Sequence, residues 1–303
     1  LPNSDTLVVV VSYENPGYTI NSINNLCAQT HPVDVLLWDN NSSSQTKAQL
    51  EAANFNGNVI KRLSDVNLLW TPAINRVFAE LASDYTYLGF MNNDIYLHAN
   101  TAEAMIGLLQ DDKVGIAGPM GARLGGIGDY VHWSSVAYNN GITEEEFKKY
   151  PLQGTYLIGA CCFLRSDTWN EVGPLDETMP LGADDHDYSI RIRNAGYKIL
   201  ALPTYPANHV GHASGASQNW GQWGQKSWDS FNTKWSGYYR SEREAIIAHW
   251  NGLYMPGWDV GTGWLSDEER EPIYAEREKY HTYNILNLKY NEAYKSSKWN
   301  GGF

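Results

Sequence analysis

The sequence predicts an α/β fold with a largely parallel, doubly wound sheet, and three observations predict it. Apolar runs of strand length alternate with helical patterns as far as about residue 200, the rhythm of βαβ units. The first run, Thr6–Ser12, is continuous and mostly β-branched, as expected of a central buried strand. Two later runs stop abruptly at polar residues: Val33–Trp38 at Asp39, and Tyr85–Met91 at Asn92-Asn93-Asp94. In open α/β sheets the ligand crevice lies at the carboxyl ends of the strands, where these groups would emerge.

The elements follow in order. After the first strand, a helical pattern runs from about Tyr18 to Gln29 and leads into Val33–Trp38. The polar turn from Asn40 to Ser44 opens a helix through Ala53, and a short strand is expected near Asn58–Arg62. A helix starts at Thr71, where Pro72 suits a first turn. Tyr85–Met91 is the fourth strand, and another helix starts near Thr101. Val114–Pro119 and Thr155–Arg165 read as strands, separated by a Gly-rich loop with glycines at 121, 125, 126, 128 and 141; long loops in compact domains are usually functional or mobile. A helix beginning around Asp184–Asp187 ends before Gly196, a suitable C-terminal cap. The strand Tyr197–Leu202 then leads into a loop bearing His209. Beyond about Trp220 the alternation is lost, and Asp267–Tyr294 reads as a charged helical region. The expected division is a catalytic domain over 1–215 and an aromatic extension over 216–303.

Composition narrows the function. The 303 residues carry a net charge of −12, which argues against a nucleic-acid partner because phosphate neutralisation needs clustered Lys and Arg. An anionic ligand would instead need a metal or local amides. No run approaches transmembrane length and no signal pattern opens the chain. Three cysteines, two of them adjacent in an apolar run, suit reduced core thiols and a cytoplasmic location better than a disulfide framework. Seven of the 12 Trp fall between positions 220 and 264. Such residues suit either a sugar-binding surface or the packing of a subdomain.

Four groups carry candidate chemistry. Asp94, held among amides, is a plausible ligand for a hard divalent cation, although an Asn-rich turn capping the next helix would look the same. Asp39 could accept hydrogen bonds from a pyrimidine imide or ribose; as a helix N-cap it would be redundant with Ser43 or Ser44. Asp184, Asp185 and Asp187 put three carboxylates at one helix start, stabilised by the helix terminus and opposed by mutual repulsion. One left ionised could serve as a general base toward a sugar hydroxyl, and an acidic solvated helix start is the plain alternative. His209 and His212 are separated by Val-Gly, a spacing with little metal specificity by itself.

Together these pieces resemble glycosyltransferase family 2. Asp39-Asn-Asn-Ser-Ser, Asn67 onward, Asn92-Asn-Asp94-Ile, Gly115-Ile-Ala-Gly-Pro119, Gly159-Ala160, Val172-Gly-Pro-Leu-Asp176, Asp184-Asp-His-Asp187, Arg191 through Gly196, and His209 occur in the family's order over roughly residues 5–212. The rhamnosyl- and galactofuranosyl-transferring branches look nearest, since there an Asp-Asp pair precedes a metal-binding His by a similar interval, 24 positions from Asp185 to His209 here. The resemblance implies a GT-A fold, a Rossmann-like mixed sheet flanked by helices, with a mainly helical, aromatic-rich C-terminal extension.

It also implies a metal-dependent, inverting glycosyl transfer from a nucleotide diphosphate sugar, uridine favoured and thymidine next, to a glycan, lipid-linked glycan or protein acceptor. Asp39, Asn67, Trp70, Asn92 and Asn93 would line the donor site. Asp94 and His209 would hold Mn²⁺ or Mg²⁺, imidazole plus carboxylate leaning toward Mn²⁺. Asp185 matches the catalytic base, with Asp184, Asp187 and Gly159 orienting sugar or acceptor. Asn92 stands where the family's metal motif has its first Asp. Asn67-Leu-Leu-Trp70 lacks the Gly that commonly follows this Asn by two positions, which leaves the sugar open. The extension would shape the acceptor site or a homo-oligomer interface. The rivals are a non-catalytic carbohydrate-binding protein built on the Trp cluster and a sugar-nucleotide pyrophosphorylase. Ser12-Tyr-Glu-Asn-Pro-Gly17 is a poor phosphate loop for the second.

Overall fold

The structure is a computed structural model that describes residues 2–123, 152–154, 157, 159–210 and 220–241. The chain divides into two compact units, Leu1–Gly125 with Pro151–Phe231, and Gly126–Tyr150 with Asn232–Phe303. Of the second unit only the helical residues 232–241 are described, with the Lys234 ammonium 5.5 Å from the Trp235 ring centre. The Gly-rich loop beyond Arg123, His212 and the Asp267–Tyr294 region lie outside the described residues.

In the first unit the strands are β1 (Thr6–Ser12), β2 (Asp34–Asp39), β3 (Val59–Leu63), β4 (Tyr87–Asn92), β5 (Ile95–Tyr96), β6 (Val114–Arg123), β7 (Leu152–Gly154), β8 (Cys161–Arg165) and β9 (Lys198–His209). The helices are α1 (Pro16–Cys27), α2 (Ser44–Ala52), α3 (Trp70–Leu81), α4 (Thr101–Leu108), α5 (Ser166–Val172), α6 (Asp184–Asn194) and α7 (Trp220–Ser241), which continues into the second unit.

Among the described residues the nine strands form one sheet in the order β3-β2-β1-β4-β8-β6-β9-β5, with β7 also paired to β9. The β3-β2-β1-β4 half is parallel, as the alternation predicts. The other half is not: β8 runs antiparallel to both β4 and β6, and β9 is parallel to β6 but antiparallel to β5 and β7. A largely parallel sheet is therefore corrected to a mixed one. This is the mixed, helix-flanked sheet that the family resemblance implies.

Both faces of the sheet are covered, which explains the uninterrupted apolar strands. The period-2 alternation of β1 sends Leu7, Val9 and Val11 to one face, against Ala73, Ile74, Val77 and Phe78 of α3, Trp169 of α5 and Tyr188 of α6. Val8 and Val10 face the other way, against Ile23 and Leu26 of α1, Leu50 of α2 and Met105 of α4. Gly89 sits at a close approach in β4: a Cβ there would lie 3.2 Å from the Val8 side chain and 3.3 Å from the Cys162 carbonyl.

Register then sets the site. Ser12 of β1 stands opposite Asp39 of β2, and Val11 opposite Asn92 of β4, so three strands finish side by side. His209, expected in a loop, is instead the last residue of β9 and pairs with Ile95 of β5. The strand continues through two prolines, and its register against β6 shifts between Pro119 and Met120, an irregularity that accommodates residues lacking an N–H. No helix among the described residues is long and apolar enough to cross a membrane.

Candidate active site

The site is built where strands end. Asp94 sits in the two-residue turn between β4 and β5, and the β5–β9 pairing brings His209 beside it: the Asp94 Oδ1 and His209 Nε2 are 3.2 Å apart. Val210 N–H donates to the Asp94 carbonyl (3.1 Å), and the Asn92 amide nitrogen lies 3.3 Å from His209 Nε2. Asn93 turns the other way. Its side-chain amide donates to Thr19 Oγ1 (2.9 Å), which shares a hydrogen bond with Ser12 (2.7 Å), so it braces the β4 end against α1. No group of three or more His, Cys, Asp or Glu able to hold a metal occurs among the described residues.

Asp39, fully buried, closes the loop after β2. Both of its oxygens accept from Ser42, one from the backbone N–H (3.1 Å) and one from the hydroxyl (2.5 Å). Burial pushes its carboxyl above the usual range, opposed by these two bonds. Ser43, not Asp39, caps α2. Next to it, Asn40 accepts from Trp38 Nε1 (3.1 Å) and from Leu68 N–H (2.9 Å), and donates to the Leu69 carbonyl (2.7 Å).

That contact grips a strained residue. Leu69 has φ 65° and ψ −161°, a region nearly confined to glycine. Asn67 Oδ1 holds its N–H (2.8 Å) and Asn40 its carbonyl. The missing glycine of the sequence is thus a leucine forced into a glycine conformation. Trp70 follows immediately, its N–H on the Pro180 carbonyl (3.0 Å), its ring edge-on to Phe90, and its side chain hydrogen-bonded to Asp184.

The three carboxylates of α6 separate into distinct environments. Asp184 is buried and accepts from Gly182 N–H (3.1 Å); burial first, and then the adjacent Asp185 charge, push it up to about 8. Near neutral pH it therefore keeps its proton. For Asp185, burial works upward but is outweighed by His186 and by the N–H of Gly159, leaving it below the ordinary carboxylate range. Its Oδ2 accepts from Gly159 N–H (3.1 Å), and its Oδ1 meets both the backbone N–H (2.9 Å) and Nδ1 (2.8 Å) of His186. Two neighbouring acids with opposite shifts are the usual signature of divided protonation roles. Asp187 faces the protein interior, fully buried and paired to Arg191 Nε at 2.9 Å.

One tight turn links these groups. Ala160 accepts the N–H of Asn92 (2.8 Å), while Gly159 donates to Asp185. A Cβ at Gly159 would lie 3.2 Å from Asp185 Cβ and 3.6 Å from Asp184 Oδ2, so the residue must be small. Sequence reasoning missed His186 and its neighbours Trp228 and Phe231 on α7. The only sequence signal was a histidine inside the acidic cluster.

The comparisons with known proteins bear on the fold and the family. The structure resembles that of GalNAc-T7 with UDP, GalNAc and Mn²⁺ (TM-score 0.53, 13% identity, covering 69% of this chain and 44% of that one). It also resembles the mannosyltransferase PcManGT from Pyrobaculum calidifontis in complex with GDP-Man and Mn²⁺ (0.54, 13%, 99% and 76%). A third similar structure is S. aureus TarS (0.54, 13%, 94% and 53%). At these identities the likeness is one of fold, and this chain spans less than half of GalNAc-T7 and about half of TarS. No curated protein matches the sequence. The family model for glycosyl transferase family 2 matches residues 7–173, from β1 through α5 and more than half of the sequence, and on that match the chain belongs to glycosyl transferase family 2.

Proposed function

We propose that the protein is a metal-dependent, inverting glycosyltransferase that moves a sugar from a nucleotide diphosphate sugar, UDP favoured over dTDP, to a hydroxyl of a glycan, lipid-linked glycan or protein. The observation that carries this reading is the Gly159-Ala160 turn. It ties an ionised carboxylate, Asp185, and the strand end that presents Asp94 and His209 to one point.

The donor set suits a divalent cation. Neighbouring ligands about 2.2 Å from an octahedral ion stand about 3.1 Å apart, close to the 3.2 Å between Asp94 and His209. Mn²⁺ or Mg²⁺ held there would neutralise charge on the departing diphosphate. Structures similar in fold carry Mn²⁺ with UDP or GDP-Man, which supports a cation without deciding between the two metals. Asp39, Asn67, Trp70 and Asn92 are assigned to the donor site, and Asn93, whose amide donates to Thr19, to bracing the β4 end beside it.

Asp185 supplies the base. As the acceptor oxygen bonds to the anomeric carbon, its proton passes to a carboxylate oxygen of Asp185 and the bond from that carbon to the diphosphate oxygen breaks on the opposite face. Gly159 and His186 hold that carboxylate ionised beforehand. Protonated Asp184 can donate a hydrogen bond to a sugar oxygen. Residues 216–303 are assigned as an extension that shapes the acceptor cleft or an interface between copies.

A nucleotide panel tests the reading. Calorimetry with UDP, dTDP and GDP should show Mn²⁺-dependent binding ranked in that order, and NMR of the product should show an inverted anomeric centre. Tighter GDP binding would remove the pyrimidine role of Asp39. Glycan binding with no metal-dependent nucleotide affinity would favour a carbohydrate-binding protein.

A further inference from the structure

We propose that His186 is a positioning residue for Asp185 and that aromatic residues of α7 hold it in place; this rests on the reading of Asp185 as the base. Asp185 lies in the first turn of α6, where an acidic side chain can swing among rotamers. Here Oδ1 is gripped twice by one residue, through the His186 backbone N–H and through Nδ1. An ionised carboxylate only accepts, so Nδ1 is the donor in this contact.

The ring that donates is itself fixed. Trp228 stands edge-on to it at 5.1 Å and Phe231 at 6.0 Å, and those two rings meet edge-on at 5.6 Å. Phe231 is fully buried. One turn earlier, Ser227 Oγ accepts the N–H of Leu181 (3.3 Å), tying α7 to the loop that leads into α6. Edge-to-face contacts constrain ring orientation as well as burying area. The chain of contacts therefore runs from α7 to the imidazole and from the imidazole to the carboxylate. Part of the aromatic C-terminal region serves the catalytic carboxylate without touching substrate.

Two crossed substitutions test this. His186→Phe keeps a ring between Trp228 and Phe231 and deletes the donor; His186→Asn deletes the ring and keeps an N–H near the Nδ1 position. Thermal stability should rank wild type, H186F, H186N. UDP release from UDP-galactose in Mn²⁺ buffer should rank wild type, H186N, H186F, with kcat of the last down about tenfold to a hundredfold and its donor KM nearly constant.

A readout without substrate accompanies it. In protein labelled with ¹³C-aspartate, the Asp185 carboxyl, assigned by its loss in Asp185→Asn, should titrate about one unit higher in H186F and rise less in H186N, which keeps a donor but not the imidazole charge that also lowers it. Among the described residues the ionisable neighbours of that carboxyl are Asp184 and His186 on α6 and Cys162 on β8; Trp228 and Phe231 add none. A titration unmoved in H186F, or turnover that follows the stability ranking, overturns the proposal. Full turnover in Asp185→Asn would instead unseat the base itself, whatever His186 does.

Discussion

Leu69 permits a prediction that reverses an ordinary rule. Alanine normally outranks glycine in a folded chain by about 0.5–1 kcal/mol, because glycine loses more backbone entropy on folding. At Leu69 the backbone lies at φ 65° and ψ −161°, a conformation that costs a residue with a Cβ about 1–3 kcal/mol. Both Leu69→Ala and Leu69→Gly lose the buried side chain beyond Cβ, at about 2–5 kcal/mol, and glycine loses only Cβ besides, so their difference is mainly that of the backbone. Subtracting the entropy term from the strain leaves glycine ahead of alanine by about 1 kcal/mol, provided that Asn67 and Asn40 keep their grip on Leu69. Urea unfolding of the two variants measures the difference directly. Equal stability, or alanine ahead, refutes the strain. A companion readout ties it to the site: Leu69→Gly loosens the entry to Trp70, and donor KM should rise more than kcat falls.

Three further outcomes follow from the same geometry. Asp94→Ala should abolish Mn²⁺-dependent nucleotide affinity while the circular dichroism spectrum is retained; unchanged affinity by calorimetry removes Asp94 from the metal site. Asp184 holds its proton up to about 8 when folded but releases it near 4 when unfolded, so the folded state binds more protons between those values and stability falls as pH rises across that window. Asp184→Asn mimics the protonated acid, and its stability relative to wild type should grow from about pH 5 to about pH 8; parallel stability curves contradict this. Asp187→Asn removes the charge of a fully buried carboxylate paired with the part-exposed Arg191 and should cost about 1–3 kcal/mol in urea unfolding, whereas no measurable loss would show that the pair is dispensable.

The parts of the fold legible in the sequence were those with strong local signals. β1 could be read because four consecutive valines buried on both faces leave no helical period. β2 and β4 could be read because their apolar runs end in Asp39 and Asn92. The direction of β8 was not legible, since strand pattern carries no information about parallel or antiparallel pairing. β9 was cut short at Leu202 because Pro203 and Pro206 look like loop punctuation, whereas the pairing with β6 absorbs them through a register shift. That difference matters for the site, because the longer strand is what carries His209 to Ile95 and so to Asp94.

The candidate site was legible as a set of residue types, and less so as a division of labour. Nothing in Asp184-Asp-His-Asp187 reveals that the first carboxyl is buried neutral, the second is held ionised, and the fourth position points inward to Arg191. Those differences arise from Gly159 and Trp70, which approach from other parts of the chain, and from Arg191, one turn further along α6 itself. His186 escaped notice because its partners lie on α7, some forty residues away in sequence.

The most direct test of the central claim is the kinetic split in Asp185→Asn. This change keeps the shape of the side chain and removes the basic oxygen, and a positioned base contributes about 10²–10⁴-fold to rate. With Mn²⁺ and saturating acceptor, turnover should fall by that factor while calorimetric affinity for UDP in Mn²⁺ stays within about threefold of wild type, the pattern of an interaction used mainly in the transition state. Near-normal turnover in Asp185→Asn, with the loss appearing in Asp184→Asn or Asp187→Asn, would contradict the account and put the base on another carboxylate.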